Sequence, residues 1–450
     1  MKTHCKEVNI RDIGFIVDSI LDFMDSNKCG KAWSRRIFHK FSGKSNRFLK
    51  EHMKPRDPFL EETAQLMAFE ISDAIARRRV REHIMENLVG QKVIRYEPIN
   101  DCGSRKMRTL GIECAMLKIY ENLFRYAADP LFTAKVGEYQ VASIKGKGQS
   151  YGIKAVKKWL SGDVEGTKFG AKMDITKCYP SIPHDKLLAM LDRDIHKNAD
   201  MLYLIHTIVG IYEEFPDPDA KFPAESGILI GSPASKDLCN YYLSTLYHYA
   251  SERLAKVSTR RGKTKRVRLF SHILIYMDDI LIYGPNKKGI HSAVRMIIDY
   301  CREQLGVKVK DNWSVFRSSY LDKHGKRRGR DLDFMGVVFH GGTVSEKQYP
   351  GAKKRHKKIW VTIRDSIFLR ARRKLNRLSR KVRKGEQVSI KLARGVAAQY
   401  GSFKSSNSYR IRRKYVDGLV KIARKIVSDY EKGKGYQQKK YYKLWRIAYA

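Results

Sequence analysis

Apolar residues recur at helical spacing through the first 88 positions. Ile13, Ile16, Ile20, Phe23 and Met24 share one face, and Leu66, Phe69, Ile71, Ala74 and Ile75 predict another helix. "RDPFL" (56–60) supplies its start, with Asp57 as cap and Pro58 in the first turn. From about 89 to 340, short strand-like runs mix with helical stretches. After Pro350 the pattern turns helical and very basic. Ile363, Ile367, Ala371, Leu375, Leu378 and Val382 form one stripe, Arg370, Arg372, Arg373, Arg377 and Arg380 cover much of the rest, and Gly385 ends the helix. Val416, Leu419, Val420, Ala423 and Val427 mark one more. No internal repeat or low-complexity segment is present, and the charge-rich stretches 257–268 and 322–330 read as exposed loops.

One stretch breaks this patterning. In "SHILIYMDDILIYG" (271–284) two strand-like apolar runs flank a bare acid pair, Asp278 and Asp279. A carboxylate beside so much apolar surface needs a partner: a base, water at a turn, or a divalent cation. About a hundred residues upstream, "KFGAKMDITKCYPSIPHDKL" (168–187) predicts a second buried strand that ends in Asp174. Two strands bringing carboxylates to one sheet edge make an oxygen-rich site suited to Mg²⁺. Two such ions serve an in-line phosphoryl displacement. The plainer alternatives are a solvated turn for Asp278 and Asp279 and a helix cap for Asp174.

Composition narrows the class. The chain has 450 residues, 42% of them apolar, enough for two or three domains with proper cores. No apolar run reaches membrane-spanning length and the N-terminus lacks a secretion signal, so no membrane role is expected. Seven scattered cysteines without a CxxC pair argue against a zinc ribbon or a disulfide framework, and fit a reduced cytoplasm. The net charge is +43, and residues 351–450 carry 31 Lys and Arg against five acids. Such a field attracts a polyanion with steep salt dependence. His184 and His206 have no second ligand at metal spacing and are expected to be structural.

A series of motifs in order carries a family resemblance. "YMDD" resembles motif C of reverse transcriptases, and "KMDITKCYPSIPH" resembles motif A. "GSRKMRTLGI" (103–112) and "SIKGKGQSYGIKAV" (143–156) resemble the finger motifs, and "SGILIGSPASKDLCNYYLS" (226–244) resembles motif B. "LGVKVKDNWSVF" and "RDLDFMGVVF" resemble motifs D and E. The style is bacterial: group II intron, retron, diversity-generating and especially unassigned or defence-associated enzymes. The resemblance implies an α+β right-hand polymerase: a helical N-terminal extension (1–88), fingers and antiparallel palm (89–340), and a basic helical thumb (345–450).

It also implies roles. Asp174, Asp278 and Asp279, with the Ile175 carbonyl, would hold two Mg²⁺ ions, with Mn²⁺ as a substitute. Tyr179 matches the steric gate against a ribose 2′-OH, although an ordinary core aromatic is the competing reading. Lys106 and Arg108 match the fingertip grip on the triphosphate. Gly231 matches the second glycine of motif B, and Ile230 stands where many relatives carry Gln. Trp313 occupies the usual place of the motif D lysine, so no general acid is named. Arg372, Arg373 and Arg377 are expected to meet the nucleic-acid backbone. The implied partners are an RNA template, a dedicated structured non-coding RNA, together with dNTPs and the DNA product. The leading role is phage defence, and the alternative is a mobile or diversity-generating element. A degenerate RNA-binding fold is disfavoured by the intact acids. The chain ends before an RNase H or integrase domain would fit, so neither activity is expected.

Overall fold

The computed structural model describes residues 4–25, 28–100, 107–260, 262–349 and 352–449. Helices α1 (Ile13–Asp25), α2 (Ala32–Ser42), α3 (Asn46–His52), α4 (Pro58–Ala76) and α5 (Val80–Glu86) precede the hairpin β1 (Ile94–Asn100)–β2 (Met107–Glu113) and helix α6 (Ala115–Ala127). Asp57 caps α4 as its sequence predicts, accepting from the Phe59 amide at 3.1 Å with Pro58 next to it. The expected inward face of α4 is partly wrong. Leu60, Ala64, Met67, Ala68 and Ile71 turn inward, while Leu66 and Phe69 are 51% and 62% exposed. The leading helices share one core with α6: Asn122 donates to the Ser19 carbonyl at 2.8 Å, and Arg125 pairs with Asp22.

Next come α7 (Asp129–Lys135), α8 (Gln149–Gly162), β3 (Phe169–Asp174), α9 (Cys178–Ser181), α10 (His184–Ile195), α11 (Ala199–Glu214) and α12 (Ser235–His248). A π-helical turn at Tyr249–Arg253 leads into the hairpin β4 (Ala255–Arg260)–β5 (Lys263–Arg268), where the sequence suggested only an exposed loop. Strands β6 (His272–Tyr276) and β7 (Asp279–Gly284), helix α13 (Lys287–Glu303) and strand β8 (Ser314–Arg317) follow. The central sheet has the order β6-β7-β3-β8 and is antiparallel throughout. Ile273, Ile275, Ile280 and Ile282 enter the main core on one face, and Leu274, Leu281 and Tyr283 enter a second core beneath α8 on the other. Coverage of both faces explains why these strands are continuously apolar rather than alternating.

The second core is closed by β11 (Leu332–Phe334) with the long ribbon β12 (Val337–Tyr349)–β13 (Ala352–Ile363), after the short pair β9 (Tyr320–Leu321)–β10 (Arg327–Arg328). Residues 352–363 are therefore a strand, not the start of a helix. Ile359, Val361 and Ile363 alternate inward there with period two, and pairing with β12 satisfies the backbone. Within the exposed segment 322–330, Arg327–Arg328 form β10 and pair with β9. The last helices are α14 (Asp365–Arg383), α15 (Ile390–Ala397), α16 (Tyr400–Lys404), α17 (Tyr409–Ile411), α18 (Asp417–Glu431) and α19 (Gln438–Tyr449), packed around a separate core. Gly385, in the left-handed region at φ +78°, follows the end of α14. The layering is the α+β right-hand arrangement anticipated from the motifs. Among the described residues no helix is long and apolar enough to cross a membrane, and the six described cysteines are buried thiols.

Candidate active site

Strands β6 and β7 meet in a two-residue turn. Tyr276 pairs with Asp279, which leaves Met277 and Asp278 at the tip. Met277 sits at φ +53°, the left-handed conformation that so tight a hairpin turn requires and that costs a non-glycine residue roughly 1–2 kcal/mol. The tip is clamped from the neighbouring strand: the Ile175 amide donates to the Asp278 carbonyl at 2.9 Å. Asp174 ends β3 directly opposite Asp279, so those two side chains leave the same face of the sheet. Three carboxylates thus share one sheet edge.

Their electrostatics follow from this crowding. Burial pushes the Asp278 carboxyl above its ordinary range, and repulsion from Asp174 and Asp279 adds to it. Burial also raises Asp279, against the pull of Lys172, whose Nζ lies 3.4 Å from Oδ1. Asp174 Oδ1 is buried and is met by the Lys310 ammonium. Residues 308–310 run beside β3: Thr176 donates to the Lys308 carbonyl at 2.7 Å, and the Lys310 amide donates to the Asp174 carbonyl at 2.8 Å. Sequence reasoning sought a lysine where Trp313 stands and missed this one. The alternation of buried Val307 and Val309 with the two lysines was the available signal. Among the described residues no group of three His, Cys, Asp or Glu forms a ready-made metal cage. The acids are instead an open set of hard oxygen donors, with Asp174 charge-paired to Lys310, and this chemistry suits a cation that shares its ligands with substrate phosphates.

Tyr179 and the motif B loop close around the turn. The Tyr179 hydroxyl contacts Met277 Sδ at 3.7 Å, and burial raises its pKa. Its carbonyl accepts from the Ile228 amide at 3.0 Å, which ties α9 to the loop 226–234. Gly227 and Gly231 both adopt positive φ, +102° and +107°. A Cβ on Gly231 would stand 2.6 Å from Leu110 Cδ1, so this glycine lets β2 approach the loop. Arg108 is exposed on that same strand, two residues from Leu110, and Ile230 is half-buried next to Gly231. Lys106 lies outside the described residues.

Beneath the loop is a group that sequence reasoning overlooked. Glu121 of α6 is buried and accepts from Tyr212 Oη at 2.7 Å and Ser232 Oγ at 2.5 Å. Burial first, then repulsion from Glu113, pushes its carboxyl up to about 8. An acid in the apolar stretch "AMLKIYENLFRYA" was the only hint. His184 is structural as expected, bonded to Glu213 at 2.8 Å and to the Gly227 carbonyl at 2.7 Å, and His206 pairs with Asp192. Arg372, Arg373 and Arg377 are exposed on α14, away from buried Ala371, Leu375, Leu378 and Val382.

Residues 99–339, more than half of the chain, match the family described as reverse transcriptase (RNA-dependent DNA polymerase). Among solved structures, the chain is similar to that of telomerase from Candida albicans in complex with a TWJ fragment of telomeric RNA. The identity is 11%, with 79% of this chain and 63% of that chain covered and a TM-score of 0.37. The match thus spans less than two thirds of the telomerase chain. No curated protein matches the sequence.

Proposed function

This chain belongs to the reverse transcriptase family of RNA-directed DNA polymerases, and from that premise we propose that it copies a dedicated, structured non-coding RNA into DNA in the bacterial cytoplasm as part of phage defence. The observation that carries the chemical part is the placement of Asp174 opposite Asp279, with Asp278 clamped at the turn by the Ile175 amide. Two Mg²⁺ ions, or Mn²⁺ in their place, held by Asp174, Asp278, Asp279 and the Ile175 carbonyl, would activate the primer 3′-hydroxyl and neutralise the leaving pyrophosphate.

The remaining roles belong to the chain itself. The Tyr179 ring, held against the turn by Met277, crowds the 2′ position of the incoming sugar and favours dNTPs. Arg108 and Lys106 grip the triphosphate. Ile230 and Gly231 form an apolar floor under the nascent base pair. Arg372, Arg373 and Arg377 hold the nucleic-acid backbone, a role their exposure permits.

The defence assignment rests on the style of the motifs. Ile230, where many relatives carry Gln, favours a second reading, an enzyme of a diversity-generating element that tolerates miscopying. Asp278→Ala tests the chemistry: Mg²⁺-dependent dNTP incorporation should vanish while RNA binding persists. Full activity in that variant, with the protein folded, would overturn the polymerase assignment. Sequencing the RNA that copurifies, and plating phage on cells carrying the wild type or Asp278→Ala, separates the two biological readings.

A further inference from the structure

Between α12 and the catalytic strand β6, the chain leaves the central sheet to build the β4–β5 ribbon. Residues 253–268 contain eight Lys and Arg and no acid. Among the described residues this ribbon pairs with no other strand, and Val257 and Val267, on opposite faces, are 63% and 46% exposed.

The ribbon is nevertheless held firmly at its base. Leu254, Leu269 and Phe270 are buried there. Arg266 donates to the Arg253 carbonyl at 2.8 Å, and Arg268 donates to the Ser251 carbonyl. Register separates these two anchors from the other cations. Arg266 and Arg268 lie opposite Val257 and Ala255 on one face, whereas Lys256, Arg260, Lys263 and Lys265 take positions on the other. By register that second face holds four basic positions along roughly 13 Å of ribbon, a stretch over which a nucleic-acid strand carries several phosphates.

Position distinguishes this surface from the polymerase site. Strand β6 runs from His272, beside the ribbon, to Tyr276 at the acidic turn. Five residues of strand set the ribbon's base about 16 Å from the carboxylates, at the opposite end of the sheet. We propose that the β4–β5 ribbon is a second RNA contact, outside the polymerase cleft, that docks the phosphate backbone of a duplex segment of the protein's own structured RNA. The inference rests on the RNA-copying reading above.

The test replaces Lys256, Arg260, Lys263 and Lys265 with Ser in the full chain. Binding is measured to a stem-loop RNA without a primer terminus across a salt series. Extension is measured separately on a short primer–template at saturating concentration. The expected result is a loss of stem-loop affinity of about tenfold or more and a salt slope shallower by about 2 to 3, with extension unchanged. A companion variant with the three lysines changed to Arg should retain wild-type affinity. Unchanged affinity and slope in a Ser variant of native circular dichroism would overturn the proposal. Loss of extension in step with binding would also overturn it, because the ribbon would then belong to the cleft. So would unchanged RNA affinity with lost binding of polyglutamate, which would assign the ribbon to an acidic protein. A wild type that binds the stem-loop through the ribbon yet extends no primer would sink the copying reading and leave the ribbon standing.

Discussion

Replacing Glu121 with Gln is expected to stabilise the protein near neutral pH far more than in mild acid. In the unfolded chain this carboxyl titrates near 4.5, and in the folded protein its burial beside Glu113 raises it to about 8. Between those values the folded state keeps a proton that the unfolded state has released, so stability falls as the pH rises through that window. The penalty is absent well below 4.5 and complete above 8. Integrated over the window it amounts to about 1 kcal/mol at pH 5 and about 3 kcal/mol at pH 7. Gln has the size of the neutral acid, offers an acceptor oxygen and a donor amide group to Tyr212 and Ser232, and does not titrate. The stability gap between variant and wild type should therefore widen by about 2 kcal/mol from pH 5 to pH 7. Urea unfolding at both pH values, with matching m-values, measures this directly. A gap that stays constant across the range would refute a protonated Glu121 beneath the motif B loop.

Three further outcomes follow from the same geometry. Tyr179→Val should raise rNTP use relative to dNTP use by about tenfold or more, read from kcat/KM for each nucleotide, and a wild type already indifferent to the sugar would refute the gate. Arg372, Arg373 and Arg377 changed together to Glu should weaken RNA binding and flatten the plot of log K against log salt by about 2, whereas an identical slope would show a merely solvated face. Lys310→Met removes the cation that contacts Asp174 Oδ1. Its Tm in EDTA should fall below that of the wild type, and added Mg²⁺ should raise it by a larger increment; equal increments would show that Lys310 does not offset the carboxylate charge.

What the sequence revealed depended on whether the signal was local. The acidic turn was legible because both flanking strands are apolar on both faces, which leaves the acids conspicuous. The cap at Asp57 and the stop at Gly385 were legible for similar reasons, since each is encoded within a few residues. Strand β13 was hidden by its own charge: five of its twelve residues are Lys or Arg, and its inward alternation emerges only near the end. The inner face of α4 was misjudged because Leu66 and Phe69 are apolar without being buried, which one helix's periodicity cannot disclose. Lys310 and Glu121 were missed because their partners, Asp174 and Ser232, lie more than a hundred residues away in sequence. Only the folded topology brings them together.

The separate core of the C-terminal helices bears on how the protein would fail. Ala371, Leu375, Leu378 and Val420 close on one another, and the unit joins the sheet through Ile363 at the end of β13 and the paired bonds between Val361 and Asn407. Two cores joined in this way are free to lose cooperativity with each other as temperature or denaturant rises. Melting of the C-terminal unit would spare the acidic turn and its clamp while releasing the helices that carry the exposed arginines. If those arginines hold the nucleic acid as proposed, such a polymerase under mild stress would still add its first nucleotide at the usual rate but let go sooner, so product length would decline before turnover.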